Sequence, residues 1–160
     1  MPTIHIDGDG HVTPATLGDG TTWSPYTDAK IKKCLEDALH IIKTNVRNMR
    51  PCDECFKRLP GLRTFTEVFD DATVFISFDS AGPDRAAAIV SGHDITLSAG
   101  EFKRNKWAVA ASIIHELAHI NGAPGGNSPS AENTLLCCGF KGHFTGVLGS
   151  NEKKSSSRSA

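Results

Sequence analysis

One helical segment, residues 101–121, constrains the fold more than any other part of the chain. Apolar residues cover almost its whole circumference: Trp107, Val109, Ala110, Ala111, Ile113, Ile114, Leu117, Ala118 and Ile120. A helix with so little polar surface has to be covered on all sides by the rest of the protein. The sequence SAGE, residues 98–101, precedes it in the form of a capping box, with Ser98 as the cap and Glu101 three residues later. We therefore predict a central, buried helix.

The second half of this helix contains HELAH, residues 115–119, with two histidines four residues apart. Residues at that spacing share one helix face, so His115 and His119 direct two imidazoles toward a common point, as zinc requires. Glu116 is rotated by about 100° from His115, which places its carboxylate beside a metal. Burying these groups unpaired would cost several kcal/mol, and a metal removes that cost. The competing interpretation is two core or interface histidines satisfied by backbone groups.

HELAH resembles the HExxH helix of the zincin metallopeptidases, and the order strand, helix, glycine loop, helix is consistent with that group. The resemblance centres on residues 113–140. It implies an α+β fold: a small zincin-like domain with a short twisted sheet, a buried HExxH helix and a following ligand-bearing helix. It also implies one Zn²⁺ per chain and hydrolysis of peptide bonds, with Glu116 as the general base for zinc-activated water. A strand around residues 86–97 would pair with the peptide or protein substrate.

The third zinc ligand divides the zincins into subgroups. Metzincins read HExxHxxGxxH, but the position of their last histidine is occupied here by Gly125, which has no side chain. Gluzincins take a glutamate from the next helix, and Glu132 lies in SPSAENTLLCC, shortly after His119. The resemblance therefore implies Glu132 as the third ligand. The alternative is that Glu132 is only an acid in a first helical turn, where it interacts well with the helix dipole.

Other residues compete for places in this site. His143, in KGHF, could reach back as a ligand or donate a hydrogen bond to the oxyanion of the transition state. His93 and Asp94, in SGHD, are further ligand candidates. Tyr26, the only tyrosine, is a further candidate donor, although nothing in its local sequence supports that role.

The chain of 160 residues is predicted to form a single zincin-like metallopeptidase domain over residues 1–149. Residues 150–160 are predicted to be a disordered polar tail. The net charge of −1 gives no electrostatic reason to expect nucleic acid or an anionic membrane as a partner. No apolar run is long enough to span a bilayer, and no Sec signal is visible. We therefore expect a cytoplasmic protein, or one exported without a cleaved signal.

Several further elements are expected from local patterns. Residues 27–50 carry an apolar stripe at helical spacing, with Thr27 or Asp28 as the cap and Pro51 as the end. The remaining expectations are a hairpin of IHI and HVT around DGDG, strands at 72–78 and 86–98 with a turn near Gly92, and a helix starting at Ser128 and Pro129.

The chain has five cysteines, Cys34, Cys52, Cys55, Cys137 and Cys138. An odd number without a visible signal argues against a full disulfide framework. CDEC, residues 52–55, has the spacing of half a zinc site, but two adjacent cysteines are poor partners for one tetrahedral ion. We therefore expect buried thiols and one semi-exposed CxxC pair, with a second metal site or a disulfide as alternatives.

Two other functional classes compete with a peptidase. The first is a non-catalytic module in which zinc stabilises the fold or an interaction surface. Structural zinc sites are usually closed by four ligands and have no need for a base such as Glu116, which disfavours this class. The second is a bacterial toxin or effector domain with a protease fold, which the sequence does not separate from a housekeeping peptidase.

Overall fold

The computed structural model describes residues 1–12, 21–80 and 88–140. Within this part of the chain the elements are β1 (Thr3–Ile4), β2 (Trp23–Ser24), α1 (Ala29–Asn45), α2 (Arg50–Lys57), α3 (Phe65–Phe69), β3 (Phe75–Asp79), β4 (Ala88–Ser91), β5 (Asp94–Ser98), a 3-10 helix (Ala99–Lys103), α4 (Lys106–Ile120) and α5 (Ser130–Cys137). None of the helices among these residues is long and apolar enough to cross a bilayer.

The strands form a small mixed sheet in the order β1-β3-β5-β4, with β2 also paired to β3. β3 runs parallel to β1 and β5, whereas β2 is antiparallel to β3. β4 and β5 are antiparallel and are joined at Gly92, whose φ of 59° suits a tight turn. The described residues therefore have the mixed helix and strand content of an α+β fold, and the predicted turn near Gly92 is confirmed within residues 88–98.

The predicted central position of the HELAH helix is confirmed. Every residue from Ala108 to Ala118 in α4 is buried. The helix packs against α1, α5 and β4, and it also contacts α3 and the 3-10 helix. Because its neighbours cover the whole circumference, the apolar side chains that the sequence places all round α4 are removed from water.

The predicted start of this helix is wrong. α4 begins at Lys106, where the Asn105 side chain accepts a hydrogen bond from Ala108 N at 2.9 Å. SAGE instead leads into the 3-10 helix, and Ser98 makes no side-chain capping bond. Glu101 is fully buried, and its carboxylate accepts hydrogen bonds from Arg104 and, at 2.5 Å, from the Ser112 hydroxyl. The glutamate therefore joins the 3-10 helix to α4 and does not cap the helix.

Two helices replace the single one predicted over residues 27–50. Asp28 caps α1 as expected, accepting from the backbone N–H groups of the first turn, but α1 ends at Asn45. The chain then turns through Asn48, at a φ of 66°, and a second helix begins. Pro51 lies at the start of this second helix, where its missing N–H is not needed. CDEC, residues 52–55, consequently belongs to this second helix.

The N-terminal hairpin is also wrong. β1 pairs in parallel with β3, and neither His11 nor Val12 belongs to a strand. The Asp9 carboxylate folds the segment by accepting from Ile6 N at 2.9 Å and from His11 N at 2.8 Å. At the other end, α5 starts at Ser130, one residue after the predicted proline position. The polar tail predicted over 150–160 lies outside the described residues.

Four of the five cysteines form two disulfides, contrary to our expectation of thiols. Cys52 is bonded to Cys138 and Cys55 to Cys137, with Cα–Cα distances of 4.5 Å and 6.5 Å. Both bonds join α2 to α5 across sequence separations of 86 and 82 residues. Cys34 is the free cysteine. The CxxC spacing on a helix places its two sulfurs one turn apart, where both members of the adjacent pair can reach them.

The second disulfide should add little to global stability, because it is nested directly inside the first. Closing a loop of this length stabilises a chain by about 4–5 kcal/mol in the chain-entropy model. Once Cys52–Cys138 has closed that loop, Cys55–Cys137 closes only a ring of a few residues.

We expect the variant Cys55→Ser/Cys137→Ser to lose less than about 2 kcal/mol of unfolding free energy, measured by urea denaturation. A variant that also carries Cys52→Ala and Cys138→Ala should lose about 4–5 kcal/mol more than that. Equal losses in the two variants would contradict the nested-loop argument.

Candidate metal and catalytic site

The HELAH histidines converge as predicted. The Nε2 atoms of His115 and His119 lie 3.1 Å apart, and the ring centroids are 4.9 Å apart at an interplanar angle of 67°. Two zinc–nitrogen bonds at a tetrahedral angle would separate the two nitrogens by about 3.3 Å. The two imidazoles therefore have the spacing that a shared metal ion needs.

His119 is also held in a tautomer that suits a ligand. Its Nδ1 lies 2.8 Å from the carbonyl oxygen of Ala123, to which an Nδ1 proton can be donated. Ala123 is itself fixed, since its N–H donates to Ala118 O at 2.9 Å. With the proton on Nδ1, the Nε2 lone pair is directed toward His115. Metal-binding histidines commonly make this kind of bond from the nitrogen that does not bind the metal.

The three polar residues of HELAH are shielded from water to different degrees. His115 is 2% exposed and Glu116 is fully buried, while His119 is half-buried. Electrostatic interactions are stronger in such surroundings than in water. The charge of a cation held at the two imidazoles would therefore be only weakly screened by water.

The described residues do not bring Glu132, the predicted third ligand, together with the two histidines in one metal-binding group. Glu132 lies in the first turn of α5, is half-buried, and belongs to a helix that packs against α4. However, no three His, Cys, Asp or Glu side chains within ranges 1–12, 21–80 and 88–140 form a group that could hold a metal. His143 lies outside the described residues.

The other candidates have different surroundings. His93 Nδ1 lies 3.0 Å from the Thr73 hydroxyl, and Asp94 lies 2.6 Å from His11 Nε2. Tyr26 is a core residue whose hydroxyl donates to Ser77 O at 3.0 Å. Burial, reinforced by the charge of Glu101, raises the pKa of the Tyr26 phenol well above its usual value. These contacts give Tyr26 a structural role in the core.

Asn121, two residues after His119, fixes the end of the HELAH helix. It is 1% exposed, and its side-chain nitrogen donates to Phe56 O and to Arg63 O, both at 2.9 Å. Its backbone carbonyl accepts from Gly61 N at 2.8 Å. These bonds join α4 to the end of α2 and to the loop that follows. Sequence reasoning missed Asn121 because its partners lie about 60 positions away, and an Asn-Gly pair predicts only a helix end.

Gly61 permits this close approach. A Cβ at position 61 would lie 2.3 Å from Asn121 Oδ1 and 2.7 Å from its backbone oxygen. Gly122 packs similarly closely, because a Cβ there would lie 2.9 Å from Pro60 Cβ, and its φ of 96° also favours glycine. The next residue in the loop, Leu62, has a φ of 61° and is 71% exposed.

Comparison of the chain with protein-family models, with curated proteins and with solved structures found no match. The interpretation of this site therefore depends on the motif and on the geometry of α4 and its neighbours. Two histidines, one carboxylate and a rigidly fixed helix end are the parts that the described residues supply.

Replacing Gly61 with Ala should destabilise the fold by about 1–3 kcal/mol, because the new methyl group meets buried atoms of Asn121. Thermal unfolding followed by circular dichroism would measure this. Leu62→Gly is the matched control in the same loop. Relief of the positive φ there roughly offsets the added chain entropy of glycine, so we expect a change within about 0.5 kcal/mol. An unchanged melting temperature for Gly61→Ala would contradict the close-packing argument.

Proposed function

We propose that this chain is a zinc-dependent metallopeptidase. In this proposal His115 and His119 bind the metal, Glu132 is the third ligand, and Glu116 is the general base. The observation that carries the proposal is the convergence of two histidine Nε2 atoms, 3.1 Å apart, beside a buried glutamate on one central helix. The reaction would be hydrolysis of a peptide bond.

The chain's own residues have separate tasks in this reaction. The Ala123 carbonyl orients the His119 ring, and Asn121 holds the helix end from which that ring projects. Zinc supplies a Lewis acid that lowers the pKa of a water. Glu116 accepts a proton on its carboxylate and can pass it to the leaving amine. His143 remains a proposed donor to the oxyanion.

The position of α5 supports Glu132 as the third ligand. The helix packs against α4, which bears the two histidines, and two disulfides join it to α2. Glu132 lies in the first turn of α5 and is half-buried. A modest rearrangement of its side chain on metal binding is part of this proposal.

In this proposal, β4 is the strand that pairs with the peptide substrate. β5 is paired on both sides, to β3 and to β4, and so has no free edge. β4 is paired only to β5 among the described residues, and it packs against α4. An extended peptide adding to the open edge of β4 would therefore run close to the helix that carries Glu116. This narrows the segment expected from the sequence, 86–97, to Ala88–Ser91.

A non-catalytic zinc module is the second candidate, and one observation favours it. Glu116 is fully buried and His115 is 2% exposed, as expected of a closed structural site. The two candidates differ in what Glu116 is needed for. A peptidase requires its carboxylate for the reaction, whereas a structural site requires only the metal ligands.

The zinc content of two variants tests whether Glu132, and not a neighbouring residue, is the third ligand. We expect one zinc per wild-type chain by elemental analysis and strongly reduced zinc in Glu132→Ala, because two histidines alone bind the ion weakly. Asn133→Ala, at the adjacent exposed position, is the control and should keep its zinc. Full zinc content in Glu132→Ala would place the third ligand elsewhere, and His143→Ala would then be measured.

Replacing Glu116 with Gln should leave zinc bound while lowering peptide hydrolysis by about 10²–10⁴-fold, the usual contribution of a general base. The readout is kcat/KM on a library of quenched fluorescent peptides, with zinc content measured on the same samples. Glu36→Gln, on the exposed face of α1, is the matched control and should keep full activity. Retained activity in Glu116→Gln would exclude the catalytic assignment. Absence of activity in a zinc-loaded wild type would favour the structural module.

A further inference from the structure

The two disulfides differ in their access to solvent. Cys52 is fully buried and Cys138 is 1% exposed, so their bond lies inside the core. Cys55 and Cys137 are both only half-buried. Disulfide exchange requires a thiolate to reach a sulfur atom. Only Cys55–Cys137 is therefore open to attack from solution.

Cys55–Cys137 also lines a cleft. A cavity of about 430 Å³ lies between α2 and α5, and its lining includes both of these cysteines together with Ser130 and Asn133. Arg58, three residues after Cys55, is the only charged side chain among the described lining residues. The positive charge of a guanidinium that lines the same cleft as a disulfide attracts an anionic thiolate and favours the thiolate form of the leaving cysteine.

We propose that Cys55–Cys137 is a site of thiol–disulfide exchange with small thiols that carry carboxylates. The thiolate of the small molecule attacks one sulfur of the pair, the S–S bond breaks, and the second cysteine leaves as a thiolate. A second small thiol then attacks the mixed disulfide. The products are two protein thiols and one oxidised small-molecule disulfide, so two electrons pass from the small thiols to the protein.

The fold survives this exchange because Cys52–Cys138 remains closed. The long loop between α2 and α5 stays cross-linked, and only the bond at the exposed side of α5 is opened. α5 then has one covalent link to α2, through its C-terminal cap residue Cys138. Because α5 bears Glu132, the exchange would loosen the helix that supplies the third ligand, a consequence that depends on the proposed function.

The order in which the two disulfides open tests directly whether Cys55–Cys137 is the exchange site. The oxidised wild-type protein is incubated with reduced glutathione, and samples are alkylated at intervals and mapped by mass spectrometry. Cys55 and Cys137 should acquire adducts or label while Cys52 and Cys138 stay protected. Cys34, whose thiol is free and whose pKa is raised chiefly by burial, serves as the internal reference. Simultaneous opening of both bonds, or earlier opening of Cys52–Cys138, would overturn the proposal.

The role of Arg58 is tested with a matched pair of variants. Arg58→Gln should slow the exchange with glutathione several-fold, while exchange with neutral 2-mercaptoethanol changes less. Lys57→Gln removes the same charge from an adjacent exposed position that does not line the cleft, and its exchange rate should match wild type. Equal rates for Arg58→Gln and Lys57→Gln would exclude recognition of the anionic group by Arg58.

The effect of the Cys55–Cys137 bond on metal binding is measured in a separate experiment. Cys55→Ser/Cys137→Ser should show faster amide hydrogen exchange over residues 130–137 and a zinc affinity about tenfold lower than that of the oxidised wild type, as when groups supporting a ligand are lost. Unchanged hydrogen exchange and unchanged zinc affinity would show that opening Cys55–Cys137 does not affect the proposed metal site. If the oxidised wild type binds no zinc, the proposed function fails. The disulfide proposal is then still decided by the order in which the two disulfides open and by amide hydrogen exchange over residues 130–137.

Discussion

The burial of His115 and Glu116 inside the most apolar helix, with His119 half-buried, is the constraint on which the rest of this structure depends. α4 has no face that water could cover without exposing apolar side chains, so helices and strands surround it. The imidazoles and the carboxylate lose their hydration in that position, a cost of several kcal/mol unless other groups compensate. The neighbouring carbonyl at Ala123 and the close pairing of the two rings are part of that compensation.

Features with a local cause could be predicted from the sequence. The apolar pattern of residues 107–120 predicts a buried helix, the four-residue spacing of its histidines predicts their convergence, and Gly92 predicts the turn between β4 and β5. Features that depend on distant partners could not be predicted. The parallel pairing of β1 with β3 and the contacts of Asn121 are set by residues that lie far away in the chain. Glu132 as a ligand remains a prediction.

The end of α4 shows why such distant contacts matter to a site. If His115 and His119 bind a metal as proposed, α4 has to be fixed in rotation and along its axis, because a small shift moves both imidazoles together. Core packing resists rotation, and the Glu101–Ser112 bond anchors the helix near its middle. Asn121 fixes the C-terminal end of the helix: its side-chain nitrogen donates to the Arg63 carbonyl, and its own backbone carbonyl accepts from Gly61 N. The histidine pair lies between these two anchor points.

The nested cross-links also bear on how this chain acquires its correct sulfur pairing. Four cysteines permit three pairings. The exchanged arrangement, Cys52 with Cys137 and Cys55 with Cys138, would close loops of almost the same length as the native one. Loop-closure entropy therefore cannot discriminate between them. The discrimination has to come from the packing of α5 on α2, which buries Cys52 and Cys138 together. The native pairing therefore forms only after α2 and α5 have packed together. The disulfide pattern is a consequence of the fold and not its cause.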